Sequence, residues 1–168
     1  TATGADLTVL EEANEFLDRI AENKNIPLFT SCCPAWVNYC EKNYPELLPN
    51  VSTCRSPMEM FGSVIKEQYK TSRKKIISVA IMPCTAKKFE AAREEFRRED
   101  GSPVIDYVIT TKELIQMIKE AGIVFSEIEP ESIDMPFGSI SGAGVIFGVT
   151  GGVTEAVIRR VETDKSVN

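Results

Sequence analysis

The chain contains no histidine, which removes at once the commonest general base near neutral pH and the commonest metal ligand. No apolar run approaches the roughly 20 residues that span a bilayer, so a membrane is not an expected partner. No stretch reads as a secretory signal. Basic residues never cluster with aromatics, and 19 Lys plus Arg against 25 Asp plus Glu leave a net charge of −6; nucleic acid is not an expected partner either. No C-x-x-C pair occurs, which argues against a zinc site. No Gly-Lys-Ser/Thr follows the glycine-rich run from Gly138 to Gly152, so that run is no phosphate loop. What remains is an ordinary globular balance, 43% hydrophobic and 26% charged over 168 residues, enough for one domain with a real core.

Helix and strand signals alternate along the chain. Thr8 and Glu11 read as a capping box before a helix to about Ile20. Pro27 to Thr30 reads as a short strand, and Pro34 opens a helix to about Tyr44. Ser56 and Glu59 open another helix, to about Tyr69. Ile76 to Ile81, nearly continuous in apolar residues, reads as a central parallel strand. A charged helix from about Ala86 to Arg97, a strand from Val104 to Ile109 and a helix capped by Thr110 and Glu113 follow. That helix stops at Gly122, and the last helix runs from Val153 to about Val161. The pattern predicts a single α/β domain over residues 1–168, with a mostly parallel sheet of three to four strands flanked by helices.

The five cysteines are Cys32, Cys33, Cys40, Cys54 and Cys84. An odd number without a secretory signal argues against a disulfide framework. Soft thiolates favour iron–sulfur clusters, zinc or copper. The Cys32-Cys33 doublet and Cys84 each follow an expected strand, where an open α/β sheet places its ligand crevice. Successive extended residues face opposite ways, so the doublet suggests one thiolate that ligates and one that faces a different cavity. The plainer reading is a set of buried, inert thiols. Glu12 and Glu15, three apart, share one side of the first helix; such acids are most often only solvated, and Ser52 reads equally well as a turn hydroxyl.

Thr30-Ser31-Cys32-Cys33-Pro34-Ala35-Trp36 resembles the first signature of the iron-only (FeFe) hydrogenase catalytic domain, TSCCPxW. Met82-Pro83-Cys84-Thr85-Ala86-Lys87-Lys88-Phe89-Glu90 resembles the second, MPCxxKxxE. Tyr44 to Leu48, Arg55-Ser56-Pro57, Thr110 to Leu114 and Ser141 to Gly148 carry the resemblance along the chain, as an N-terminal portion of the large-subunit catalytic domain. The resemblance implies reversible interconversion of protons plus electrons and dihydrogen at an H-cluster, a 4Fe–4S cubane joined through a cysteine sulfur to a two-iron subcluster. Carried over by position, Cys33 and Cys84 are cubane ligands, and Cys32 passes protons without binding iron. Lys87 donates a hydrogen bond to a cyanide on the two-iron unit and Met82 packs beside it, while Phe29, Pro57 and Phe147 line the cavity. The implied proton route runs from Cys32 through a water to Glu12, Ser52, Glu15 and the surface.

The family's third signature, a C-x-x-x-C pair, does not occur in these 168 residues. The expectation is therefore a partial H-cluster domain supplying two of four cubane thiolates, with no cluster bound to this chain alone. The implied partners are the remainder of the catalytic domain or a completing chain, and ferredoxin or another electron carrier, in the cytoplasm or the periplasm. Two other readings stand beside it: a hydrogenase-like protein of iron–sulfur sensing or assembly, and a folding domain inactive on its own. The intact Met82, Lys87 and cysteine doublet favour the first.

Overall fold

The computed structural model describes residues 2–134, 137–139, 141–149 and 151–166. In chain order the elements are α1 (Ala2–Glu22), α2 (Pro34–Asn43), α3 (Pro57–Gln68), β1 (Val79–Met82), α4 (Ala86–Ala91), β2 (Tyr107–Thr110), α5 (Thr111–Glu120), α6 (Gly142–Ile146) and α7 (Gly152–Ser166), with short 3₁₀ turns between some of them. They form two compact units, residues 1–65 with 139–168, and residues 66–138.

The first unit is helical. On α1, Ala5, Val9 and Ala13 recur every four residues and are buried, the spacing that puts one apolar stripe on a helix. The stripe packs on Val153, Ala156, Val157 and Val161 of α7, with Phe16, Leu17, Cys32, Ile146 and Phe147 around this core. Gly4 lets α1 lie against the start of α3: a Cβ there would stand 2.1 Å from the Pro57 carbonyl oxygen and 2.9 Å from Phe61 Cβ. The helix begins six residues before the expected cap. Thr8 is inside it, buried, and its hydroxyl donates to the Arg55 carbonyl at 3.1 Å instead of capping. The expected cap at Ser56 is not made either, since its buried hydroxyl has no hydrogen-bond partner among the described residues. The strand expected at Pro27–Thr30 is a single parallel bridge, Phe29 with Val51.

The second unit holds the sheet. β1 and β2 are parallel, paired Val79–Tyr107, Ala80–Val108, Ile81–Ile109 and Met82–Thr110. Burial alternates along β1: Ala80 and Met82 are buried, while Val79 and Ile81 are about half exposed. The strand therefore has one covered face, not the two that its apolar run predicts, and among the described residues the sheet has two strands where three to four are expected. A buried polar knot sets its start. Lys66 pairs with Asp106 at 2.6 Å, and Asp106 accepts from the Ser78 amide at 2.7 Å and hydroxyl at 2.9 Å. The Thr110–Glu113 capping box forms as expected, and Gly122, at φ +67°, closes α5 in a conformation that glycine tolerates. The charged helix predicted to Arg97 is cut to α4 and a 3₁₀ turn at Glu94–Phe96. The architecture is α/β, a small parallel sheet flanked by helices.

Candidate active-site segment

Two features of the first unit hold most of the residues singled out by sequence. The first is a cleft of about 450 Å³ lined by Glu12 and Phe16 of α1, Leu28 to Thr30, Cys33, Trp36 and one side of α7. Phe29 meets Trp36 edge to face, with ring centroids 6.0 Å apart, which builds an apolar wall. Cys33, directly before Pro34 at the start of α2, is exposed. Cys32 faces elsewhere, half-buried against the α1–α7 core. The two adjacent thiols thus look into different surroundings, as extended backbone requires.

The second feature is a carboxylate pair. Glu12 is 1% exposed and, among the described residues, neither of its carboxyl oxygens has a hydrogen-bond partner. Burial drives its pKa up from 4.5 to about 7; the nearby Ser52 and Ser31 groups and the Arg19 charge pull it back only in part, and the Glu15 charge adds to the rise. Glu15 is the opposite case. Burial raises its pKa, but Ser52, the Thr53 amide and Arg19 outweigh burial and hold the carboxyl below its usual range. Ser52 Oγ donates to Glu15 Oε2 at 2.8 Å, Thr53 N to the two oxygens at 3.2 and 3.1 Å, and Arg19 to Oε1 at 2.5 Å. Arg19 also donates to the carbonyls of Asn25, Pro49 and Val51, so its guanidinium is a fixed charge. Two carboxyls one helical turn apart are pushed in opposite directions by their surroundings, an arrangement found where protons are exchanged.

In the second unit Met82 is buried at the end of β1, and Cys84 follows it, exposed. Lys87 pairs with Glu90 at 2.6 Å, both side chains largely buried. Lys87 is therefore not simple surface charge, and the two charged residues of the second signature hold each other. Phe147 packs on the helical core and Pro57 is the buried first residue of α3. In the glycine-rich run, Gly144 serves helix packing: a Cβ would meet Asp6 Oδ1 at 2.9 Å. Ile140 and Thr150 of that run lie outside the described residues. The structure adds Arg19, Ser31 and Cys54 to the residues of interest. Arg19 was legible as an i, i+4 partner of Glu15; the other two depend on chain segments far apart in sequence.

An exposed thiol in an apolar cleft suits iron–sulfur chemistry in kind. In number it falls short: among the described residues no three cysteines, carboxylates or histidines converge as a metal site, and a cubane takes four protein ligands. Nor is any described helix long and apolar enough to cross a membrane.

The chain itself falls in one protein family. Residues 1–168 match the family described as iron only hydrogenase large subunit, C-terminal domain, and the chain belongs to it; the domain is the C-terminal one of that subunit, which corrects the expected N-terminal placement. The chain is 49% identical over 160 residues to Iron hydrogenase 1 of Clostridium pasteurianum, covering 93% of this chain and 28% of that protein. It is 36% identical over 172 residues to Cytosolic iron-sulfur assembly component 3 of Rattus norvegicus, covering 95% of this chain and 36% of that one. Among solved structures, an apo FeFe hydrogenase from Chlamydomonas reinhardtii superposes with a TM-score of 0.77 at 44% identity, over 94% of this chain and 41% of that chain. The chain thus spans well under half the length of the relatives it resembles.

Proposed function

We propose that this chain is part of the catalytic domain of an FeFe hydrogenase that interconverts two protons and two electrons with dihydrogen. When bound, the H-cluster supplies the redox chemistry. The residues here hold part of it and manage protons. Cys33 and Cys84 each offer one cubane thiolate, and the remainder of the large subunit supplies the other two. By the family resemblance, Lys87 would donate a hydrogen bond to the two-iron unit with Met82 beside it, and Phe29, Pro57 and Phe147 would be cavity-lining residues. The partner in electron transfer is ferredoxin or a similar carrier.

Proton management carries the reading. Glu12, buried with a pKa near neutrality, can take a proton from Cys32 and release it at little cost in either direction. The Ser52 hydroxyl, already donating to Glu15, can pass its proton on as it accepts the one from Glu12. Arg19 keeps Glu15 ionised and ready to receive. The second reading, iron–sulfur assembly, rests on the likeness to the rat assembly component; it needs the cluster but no proton route.

The test uses the full-length subunit with Cys32→Ser and Cys33→Ser. Cys32→Ser is expected to keep its iron while turnover falls about 100-fold or more, the usual loss of a proton-transfer group. Cys33→Ser is expected to lose cluster iron, because a hard oxygen substitutes poorly for a soft thiolate. Iron content with paramagnetic resonance separates the two, and the reverse pattern means the doublet is assigned backwards. A parent subunit that holds its cluster and never evolves dihydrogen would leave the assembly reading.

A further inference from the structure

Glu15 is held by three successive residues. Ser52 Oγ, Thr53 N and Cys54 Sγ all reach its carboxylate, the thiol at 3.5 Å from Oε2. Cys54 is bound at its other ends too. Its amide donates to Ser52 Oγ at 3.1 Å, and its carbonyl accepts from Ser31 Oγ at 2.6 Å. Ser31 directly precedes the cysteine doublet. One residue therefore touches the exit carboxylate, the hydroxyl that bridges to it, and the turn carrying Cys32 and Cys33.

From this we propose that Cys54 is a positioning residue of the proton route, donating its thiol hydrogen to Glu15 and tying the 52–54 segment to the cysteine turn. The inference rests on the relay reading above and extends it to a residue outside the family motif. A thiol can serve because it stays protonated: burial drives its pKa up to about 12, Ser52 offsets part of that, and the Glu15 and Glu12 charges add to it. The groups that face Glu15 are Glu12 and Arg19 on its own helix and Cys54 across from it. No other charge competes among the contacts described. Removing the thiol donor makes Glu15 easier to protonate, so its pKa rises. A hydrogen bond to the carboxylate from a donor as weak as a thiol corresponds to a shift of roughly half a pH unit.

The experiment compares Cys54→Ala, Cys54→Val and Cys54→Ser in the full-length subunit. Two quantities are read: the acid limb of dihydrogen turnover in the cluster-loaded enzyme, and the Glu15 carboxyl titration by carbon NMR in the cluster-free subunit, assigned with Glu15→Gln. Cys54→Ala is expected to keep its iron and to move both toward higher pH, by roughly half a unit. Cys54→Ser, which keeps a donor, is expected to return both toward the parent. Cys54→Val keeps the site filled, with one branch more than cysteine and no donor, and should behave like Cys54→Ala, which covers the case in which the alanine variant does not fold. Parent-like titration and pH profile in both donor-free variants would overturn the proposal, and so would a serine variant that restores neither. A Glu15→Gln subunit with undiminished turnover would instead sink the relay reading on which it rests. If Glu15→Gln is slow while the Cys54 variants match the parent, only the role of Cys54 is lost.

Discussion

Glu12 stores a stability penalty that pH can release. Its pKa in the folded chain is about 7 against 4.5 for an ordinary glutamate, so folding favours the protonated form. The sign follows by linkage: the contribution to stability is complete below about pH 4.5 and is lost as pH rises through 7. Burial accounts for it, and the size is about 3 kcal/mol. Glu12→Gln cannot ionise, so it should flatten this slope. Denaturant unfolding of parent and variant at about pH 5 and pH 8 checks it: Glu12→Gln gains relative to the parent at the higher pH by a few kcal/mol. A gap between the two proteins that is the same at both values would mean that Glu12 is not buried as an acid. At the same scale, Glu12, Glu15 and Ser52 were legible only as a set, through resemblance to a known signature. Composition made them ordinary acids and a turn hydroxyl. Their opposite electrostatics come from which side of α1 meets solvent and from Arg19 being pinned by three carbonyls.

At the scale of elements, the helices were readable and their ends were not. A capping signature points to a helix here, but Thr8 and Glu11 are only the residue types of a cap and α1 passes through them, because Thr8 finds the Arg55 carbonyl. The Thr110–Glu113 box holds although Glu113 also accepts from Lys88 Nζ at 2.6 Å, because Lys88 takes Oε1 and leaves Oε2 to the Thr110 amide. Gly4 shows what packing adds to pattern. It reads as a poor helix former at the start of the chain, yet the contact of α1 with α3 depends on its missing side chain. Gly4→Val should lower the thermal midpoint by several degrees, since overpacking costs about 1–3 kcal/mol. Gly144→Ala, whose Cβ would stand 2.9 Å from Asp6 Oδ1 and 3.1 Å from the Ala2 carbonyl oxygen, against 2.1 Å from a backbone oxygen at Gly4, should cost less. Thermal scans of both variants decide it, and equal midpoints would mean that α1 shifts freely away from α3.

Over the whole molecule, the five cysteines do not gather into a cubane site: among the described residues no three cysteines or carboxylates converge as metal ligands. Reconstitution of this chain alone with iron and sulfide should give less than one 4Fe–4S cluster per chain by iron assay and paramagnetic resonance, because a cubane takes four thiolates. A stoichiometric cluster on these residues would refute the assignment of Cys33 and Cys84 as two of four. The cysteine doublet, the second signature and their order are properties of the chain itself, since ligand identity is set by side-chain chemistry and no folding alters it. Alternation of helix and strand is equally intrinsic, because it follows from where apolar side chains repeat. Folding settled the rest. It turned one expected strand into the Phe29–Val51 bridge, paired Lys87 with Glu90 and set Cys54 against Glu15 across 39 residues of chain. It also made Glu12 a near-neutral acid, for a carboxyl's pKa answers to the solvent and charges around it, and those are brought together only by the packed chain.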